Sequence, residues 1–346
     1  MSAHMKATSI FFTGLLLLSF QSVGQQESQF INAVNNPYML NPSAAGMSDV
    51  IQFEASSRTQ WMGYNGPQTF LLSGNSRIRM KKGGDAVLSE YNIEDKALFS
   101  DPNATTGALK HVVGGRVLND AIGPFSKTSL FGSYAIHLPF TKKMNFGAGL
   151  GLGWSNFRIV QDRVVLYQAD DAAYSQFLGN TSGQNIFDAN AGIVFYNAHF
   201  VVGISTTQLF KNKAKFDNVA TESFYNRHYF FTAKYRFDFD NKLGIEPSAV
   251  LKLAEKSPAS LDIGLRFSYN RSAWLGLQYR TSNAITFQVG ANVIKNLYVA
   301  YGYELGTGKI RIASNGTHEV QLGIYLGRNR NIDREIEGKK EKHPGH

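Results

Sequence analysis

Side chains that could carry out acid–base or metal chemistry are few and scattered in this sequence. Five histidines are spread through the central part of the chain: His111, His137, His199, His228 and His318. None belongs to an H-E-x-x-H run, and only His318 is followed directly by a carboxylate, that of Glu319. Neighbouring residues of a strand point to opposite faces, so on a strand these two side chains could not act together. The sequence therefore predicts no catalytic residue, no metal site and no cofactor.

A glycine-rich run from Gly147 to Gly153 has the composition of a phosphate-binding loop. Such a loop needs a helix directly after it, so that backbone N–H groups point at the phosphate. Here Trp154 and Phe157 continue an extended pattern instead. The run predicts a strand with glycines on the lumen face of a barrel.

The charge and the lack of cysteine exclude further classes of function. The chain has no cysteine, which excludes structural disulfides, thiolate metal sites and cysteine nucleophiles. Its formal net charge is +9, but Lys and Arg are dispersed along it. Nucleic-acid-binding proteins cluster such charge. We expect no nucleic-acid partner, but a basic lumen and solvated loops.

The N-terminus has the pattern of a secretory signal. Lys6 precedes an apolar run between Ile10 and Leu18, and small residues follow at Ser22–Gly24. The apolar run is shorter than the roughly 20 residues that a membrane-spanning helix needs, which argues against an uncleaved anchor. We predict a signal peptide over residues 1–24 and a mature chain that begins near Gln25.

From residue 50 onward, segments of about ten residues alternate between apolar and polar side chains. In one of them Ile263, Leu265 and Phe267 alternate with Asp262, Gly264 and Arg266. The polar face would contact water in a soluble sandwich and line the lumen in a membrane barrel. The signal sequence, the segment length and the aromatic residues at strand ends favour an all-β, transmembrane antiparallel β-barrel.

Fourteen strands are predicted between residues 50 and 327. They lie near 50–59, 67–77, 110–118, 126–138, 143–157, 186–197, 199–207, 226–238, 242–254, 259–270, 272–281, 284–294, 296–306 and 316–327. An even number places both ends of the sheet on the periplasmic side. The long connections at 158–185 and 208–225 then lie outside the cell, and the long connection at 78–109 lies in the periplasm.

Two segments flank the predicted barrel. Residues 25–49 show no strand pattern, which predicts a short irregular N-terminal segment. Residues 328–346 carry six Lys or Arg and four Asp or Glu without an apolar stripe. We expect this charged C-terminal tail to be disordered in the periplasm.

Four local sequences are distinctive. The first contains Asn41, Pro42 and Gly46. The second joins the first two strands and contains Arg58, Gln60, Trp61, Gly63, Gly66, Pro67 and Thr69. The third contains Asp120, Gly123 and Pro124, and the fourth is the pair His318 and Glu319.

Together these residues resemble the PorP/SprF family of outer-membrane proteins, which is associated with the type IX secretion system of Bacteroidota. The resemblance covers residues 29–327, and the run around Trp61 is its most specific part. Two features depart from the family pattern as we read it. The connection at 79–109 is longer than expected, and the charged tail extends past the last strand.

The resemblance implies binding rather than catalysis. The implied partners are outer-membrane lipid, other components of type IX secretion, and a secreted surface adhesin that is bound through its C-terminal sorting domain. Family members are tied either to such a cargo or to the periplasmic secretion and gliding machinery. A diffusion channel or carrier for small apolar molecules is the alternative, because fourteen strands can enclose a ligand-sized lumen. A barrel enzyme is a third hypothesis.

Closure of the barrel predicts one specific contact. The first strand must pair with the last, and alternation puts Arg58 and Glu319 on the lumen face near the same rim. We therefore predict a salt bridge between these two side chains, which would help to set the register of closure.

The sequence also predicts where the protein is found. It should fractionate with outer membranes and run at a heat-dependent position on a gel, because a stable barrel resists unheated detergent. Recovery as a soluble periplasmic protein would contradict the predicted fold.

Overall fold

A computed structural model describes the chain over residues 29–48, 50–63, 66–80, 86–87, 109–141, 144–164, 183–214, 223–239, 242–255, 257–282, 284–294, 296–308 and 314–326. The predicted signal peptide at 1–24 and the charged tail at 328–346 lie outside these residues. So do most of the connection at 78–109 and parts of the connections at 158–185 and 208–225.

Within the described residues, fourteen antiparallel strands form one closed barrel. They are β1 (Ile51–Thr59), β2 (Gln68–Met80), β3 (Lys110–Ile122), β4 (Phe125–Pro139), β5 (Asn145–Ile159), β6 (Gln184–Tyr196), β7 (Phe200–Thr207), β8 (His228–Tyr235), β9 (Leu243–Ala254), β10 (Ser257–Tyr269), β11 (Ala273–Arg280), β12 (Ala284–Ile294), β13 (Leu297–Gly306) and β14 (Thr317–Leu326). β1 pairs with both β2 and β14, so the sheet has no open edge. The predicted fourteen-strand barrel is confirmed.

Short elements complete the described structure. Two-residue strands lie at Ala86–Val87, Lys213–Ala214 and Ser223–Phe224, and Phe237–Phe239 pairs with the start of β9. Single 3₁₀ turns lie at Pro37–Met39, Pro42–Ala44 and Gln161–Arg163. Among the described residues, none belongs to a helix long and apolar enough to cross a bilayer.

Side chains alternate across the barrel wall as the sequence pattern predicts. On β5, Leu150 and Leu152 point outward and are 65% and 68% exposed, while Gly149 and Gly151 face the lumen. An outward ring of apolar side chains suits lipid, and the closed ladder of hydrogen bonds satisfies the backbone inside it. The wall is therefore built to sit in a membrane.

The N-terminal segment lies inside the barrel. We call the two ends of the barrel the motif rim, where β1 ends at Thr59 and β14 begins at Thr317, and the terminal rim, where β1 begins and β14 ends. Residues 29–48, here named the plug, cross the lumen from the half near the motif rim towards the terminal rim. Along this path Ile31 lies beside Glu319, and Ala45 lies beside His137. The plug carries no strand, as predicted for this segment, but its position in the lumen was not foreseen.

Glycines on the lumen face let the plug lie directly against the wall. A Cβ atom on Gly149 would come within 2.6 Å of the backbone nitrogen of Ser43 in the plug. Because the obstacle is backbone, it could not be relieved by rotation of a side chain. The glycines that the sequence placed in the lumen therefore mark the surface on which the plug packs.

We predict that Gly149→Leu dislodges the plug and lowers the heat resistance of the folded barrel, because the added side chain overpacks the lumen at a cost of about 1–3 kcal/mol. The measurement is the temperature at which the folded gel band is lost, together with protease sensitivity of the plug. Gly132→Leu on neighbouring β4 is the matched control, since a Cβ there meets nothing within 4 Å. Equal effects of the two substitutions would show that the plug does not press on Gly149.

Candidate functional site: the plugged lumen

A buried carboxylate on β14 holds the beginning of the plug. Glu319 accepts hydrogen bonds from the backbone N–H of Ile31 at 2.6 Å and from that of Asn32 at 2.9 Å. The Asn32 side-chain amide donates a third, at 3.1 Å. Gln288 completes the anchor by donating to the Ile31 carbonyl at 3.0 Å. Glu319 thus accepts three hydrogen bonds from this part of the plug, and Gln288 adds a fourth.

The prediction that Arg58 and Glu319 lie side by side at the closure of the barrel is confirmed, but the predicted salt bridge between them is wrong. The two residues are direct register partners on β1 and β14, and both are buried in the lumen. However, the described side chains contain no ion pair between them: Arg58 instead binds Glu304, with Nη2 and Oε1 3.0 Å apart. The reason is that both oxygens of Glu319 accept N–H groups of the plug, whose place in the lumen the sequence pattern does not show.

Arg58 is the last member of a chain of ion pairs across the lumen wall. Lys252 binds Asp262 at 2.7 Å, Asp262 binds Arg280 at 3.0 Å, Arg280 binds Glu304 at 2.7 Å, and Glu304 binds Arg58. These residues lie on β9, β10, β11, β13 and β1, so the chain runs from the ninth strand to the seam between β1 and β14. Loss of one partner from such a buried set costs roughly 3–5 kcal/mol, because it leaves another charge uncompensated.

Asn41 joins the plug to the opposite wall of the barrel. Its side-chain oxygen accepts from the backbone N–H of Ser43 at 3.0 Å, which caps the 3₁₀ turn that begins at Pro42. Its amide nitrogen donates to the backbone carbonyl of Ile193 at 3.0 Å, on β6. The asparagine–proline pair therefore shapes the plug and attaches it with a single side chain.

Gly46 ends the plug in a conformation that requires glycine. Its φ is +67°, and a Cβ there would lie 2.6 Å from the side chain of Val112. Its N–H donates to Asn75 at 2.8 Å, and its carbonyl accepts from Arg77 at 2.8 Å. His137 is also buried and lies 2.8 Å from the Ala45 carbonyl, to which it donates. These β2 and β4 side chains fix the end of the plug near the terminal rim.

A tyrosine of the plug makes a further polar contact in the lumen. The Tyr38 hydroxyl lies 2.7 Å from the hydroxyl of Ser133 on β4. Burial raises the pKa of the Tyr38 phenol above its ordinary value. The group therefore stays neutral, and its hydrogen bond does not change over the ordinary pH range.

Two of the distinctive sequences meet on the lumen face near the motif rim. Thr69 on β2 and Asp120 on β3 are register partners, and the threonine hydroxyl donates to the carboxylate at 2.6 Å. Gly123 and Pro124 then form the tight turn to β4, with φ of +56° at the glycine. The Pro124 carbonyl accepts from the N–H of Val160, which ties this turn to the end of β5.

The segment around Trp61 extends the seam beyond the barrel wall. The Gln60 N–H donates to the Pro67 carbonyl at 2.8 Å, and the Met62 N–H donates to the Gly316 carbonyl at 2.9 Å. Trp61 itself is 38% exposed. A Cβ on Gly66 would overlap the Gln60 carbonyl, and Gly63 has a φ of +96°. These glycines allow a folded loop that lies over the residues before β14.

His318 lies on the face opposite Glu319, as strand alternation requires. Its Nδ1 is 2.6 Å from the Tyr301 hydroxyl, and its ring packs edge-on against Tyr303. It therefore belongs to the outer wall. Asn41, Pro42 and Gly46 belong to the plug and Glu319 holds its beginning, whereas Arg58 lies beside Glu319 on β1 and binds Glu304. The rim loop contains Gln60, Trp61, Gly63, Gly66 and Pro67.

A cavity of about 440 Å³ lies between the plug and the motif rim. Its floor is formed by Phe30, Ile31 and other residues of the plug. Its walls include several apolar side chains that point inward: Leu71, Leu118, Phe131, Phe157, Ile186, Phe230 and Val250. The expectation of a basic, polar lumen is thus wrong for this half of the barrel. The alternating pattern of β3, β4, β5 and β8 places Leu118, Phe131, Phe157 and Phe230 on the lumen face. The sequence therefore contains the information that predicts an apolar wall here.

Among the described residues, no group of three or more His, Asp and Glu side chains is placed to hold a metal ion.

The sequence of the whole barrel matches one known family. The model of the type IX secretion system membrane protein PorP/SprF matches residues 22–324. This chain belongs to the PorP/SprF family. The match begins before the plug and ends within β14, so it includes the residues of the plug as well as nearly all of the wall. No protein of curated function matches the chain significantly.

Several solved outer-membrane proteins and channels match most of the chain at low sequence identity. The outer membrane protein Omp33 of Acinetobacter baumannii is 10% identical, with a TM-score of 0.44, over 81% of this chain and 100% of its own. The toluene transporter TbuX of Ralstonia pickettii is 10% identical, with a TM-score of 0.43, over 89% and 96%. The CymD monoaromatic hydrocarbon channel is 11% identical, with a TM-score of 0.44, over 89% and 96%. Similarity at this level does not identify a function for the PorP/SprF member described here.

We predict that Glu319→Gln loosens the beginning of the plug. The substitution turns one acceptor oxygen into an amide nitrogen, which cannot accept from the N–H of Ile31 or Asn32. A buried amide without a partner costs about 1–3 kcal/mol, so hydrogen exchange of these two amides should accelerate by roughly an order of magnitude. Glu255→Gln at the motif rim is the control, because its carboxylate binds Lys211 and not the plug. Unchanged exchange in Glu319→Gln would show that the carboxylate is not the anchor.

Proposed function

We propose that this PorP/SprF protein is a non-enzymatic binding barrel. It holds a secreted surface adhesin through the adhesin's C-terminal sorting domain, or couples that cargo to the periplasmic secretion and gliding machinery. Membership of the PorP/SprF family supports a role in type IX secretion. The single observation that supports binding rather than transport is the plug, which crosses the lumen with the protein's own backbone.

A plugged barrel leaves its rims as the surfaces available to other proteins. With both ends of the sheet in the periplasm, the motif rim faces outward and the terminal rim faces inward. The connections from β5 to β6 and from β7 to β8 then form the cargo-facing surface. The connection from β2 to β3 and the charged tail form the surface for periplasmic partners. In this arrangement the wall supplies rigidity and the loops supply specificity.

The test uses cells that lack the chromosomal copy and produce one of three variants. In the first, residues 165–182 are replaced by a Gly/Ser linker of equal length. In the second, residues 88–105 are replaced in the same way, and in the third, residues 328–346 are deleted. The first should lose surface retention of the largest adhesin that has a C-terminal sorting domain, and release that adhesin into the medium.

The other two variants serve as contrasts, since they alter only the opposite rim. They should retain any adhesin that has reached the surface, and instead reduce how much arrives if the periplasmic coupling role holds. All three must show the heat-dependent gel band of a folded barrel. Normal adhesin display in all three variants would contradict the proposal.

A second candidate is a channel or carrier for small apolar molecules. The apolar cavity near the motif rim favours it, whereas the plug beneath the cavity opposes free diffusion. The two functions differ in the conductance that they require.

We predict that the intact protein conducts poorly in planar bilayers. Replacement of residues 29–48 by a Gly/Ser linker should produce large, steady conductance steps, because the lumen is then empty of ordered chain. The intact barrel is the matched control for the linker variant. Large steady steps from the intact barrel would favour the channel over the binding barrel.

A further inference from the structure

The cavity between the plug and the motif rim has the properties of a ligand site. Its volume of about 440 Å³ lies within the roughly 300–1,000 Å³ that small-molecule sites occupy. Its walls are mainly aromatic and aliphatic, and the plug closes its floor. A molecule that enters from the motif rim therefore reaches a dead end, so the cavity can bind a ligand without conducting it.

The charged groups on the cavity wall already have partners within the protein. Lys252 binds Asp262, and Asp120 accepts from Thr69. Asp188 accepts from the backbone N–H of Ala189. Since Lys252 is ion-paired and both carboxylates already accept hydrogen bonds, a neutral ligand fits the cavity better than a charged one.

The other cations of the wall are covered by rings or carbonyls. The Nζ of Lys127 lies 5.3 Å from the centre of the Tyr225 ring. The guanidinium of Arg116 lies 4.8 Å from the centre of the Phe131 ring and donates to the Met39 carbonyl.

Among the residues that the structure describes, two polar side chains on the same wall have no hydrogen-bond partner. His228 is 7% exposed, and neither of its ring nitrogens makes a hydrogen bond. The hydroxyl of Ser257 is also buried without a hydrogen bond. In the sheet both residues are register partners of Ala254, so they flank it on β8 and β10. Buried polar groups without partners are uncommon, and such a pair at the edge of an apolar cavity indicates where a ligand's polar group would bind.

We propose that this cavity binds a small neutral amphiphile, with an apolar ring or chain against the aromatic walls and one hydroxyl-like group at His228 and Ser257. A neutral imidazole and a serine hydroxyl can each donate and accept, which suits a hydroxyl or amide and not a fully ionised head group. The site is independent of the cargo-binding role, because it lies inside the lumen and not in the loops proposed to contact the adhesin.

The test compares two probes that share one apolar body. 2-Naphthol carries a hydroxyl, and naphthalene does not. Equilibrium dialysis of the barrel in amphipol measures both, with the same amount of amphipol in each chamber. The intact barrel should bind 2-naphthol about fivefold more tightly than naphthalene, as expected for one additional hydrogen bond.

Substitution of the histidine should remove that preference. In His228→Phe we expect equal binding of the two probes, with naphthalene binding within about twofold of the intact barrel. Ser257→Ala should reduce the preference in part. His199→Phe is the matched control, because His199 lies in the turn between β6 and β7 at the opposite rim. An unchanged preference in His228→Phe would overturn the assignment of the polar group.

Filling the cavity separates binding in the lumen from partition into amphipol. Val250→Trp and Ala254→Phe each add a ring to the wall, and either should abolish binding of both probes. Two positions are tested so that, if one variant fails to fold, the other still provides the measurement. Each variant must show the heat-dependent gel band. If the filled variants retain as much probe as the intact barrel, the cavity is not a ligand site.

Discussion

The structure depends on one constraint: an irregular segment enclosed in a barrel must find a hydrogen-bond partner for its buried backbone groups. Turn hydrogen bonds within the plug pair some of these groups, and side chains of the wall supply partners for others. Glu319 accepts the N–H groups at its beginning, and Asn75 and Arg77 bind the backbone at its end. An unpaired buried amide costs about 1–3 kcal/mol. The side chains that face the lumen must therefore provide partners for the plug as well as pack within the wall.

The lumen contains two unlike regions that meet at β9 and β10. From β9 to β13 and β1, a continuous chain of ion pairs lies beside the first residues of the plug. From β2 to β10, mainly apolar side chains surround a cavity, whose wall also includes Lys252 and Asp262 of that chain. A buried ion-pair chain contributes little net stability against an apolar replacement, but it strongly disfavours any register in which one member loses its partner. The charged region therefore favours one geometry, and the apolar region leaves room beside it.

The strands of the wall could be predicted from the sequence because apolar and polar side chains alternate along each of them. This alternation can be recognised from neighbouring residues alone. The predicted strand at 284–294 coincides with β12, and Arg58 and Glu319 are register partners as expected. The partner of Arg58 could not be predicted, because it depends on Glu304 and on a plug with no periodic pattern. The sequence singles out Asn41 and Gly46 by residue type. It does not show their contacts, because those contacts join residues far apart in the chain. The cavity was missed because a lumen was assumed to be polar throughout.

The attachment of Ile31 to Glu319 joins residues 288 positions apart, close to the two ends of the folded region. The plug precedes the first strand, and its principal anchor lies on the last strand. Until β14 is in place, the beginning of the plug has no carboxylate to accept its amides, and β1 has no second neighbour. Sealing of the lumen and closure of the wall are therefore one event late in assembly, because contacts between distant parts of a chain form slowly. A half-assembled barrel of this design would be both open at its side and leaky through its centre, so that a membrane in which it is inserted becomes tight only when the protein is complete.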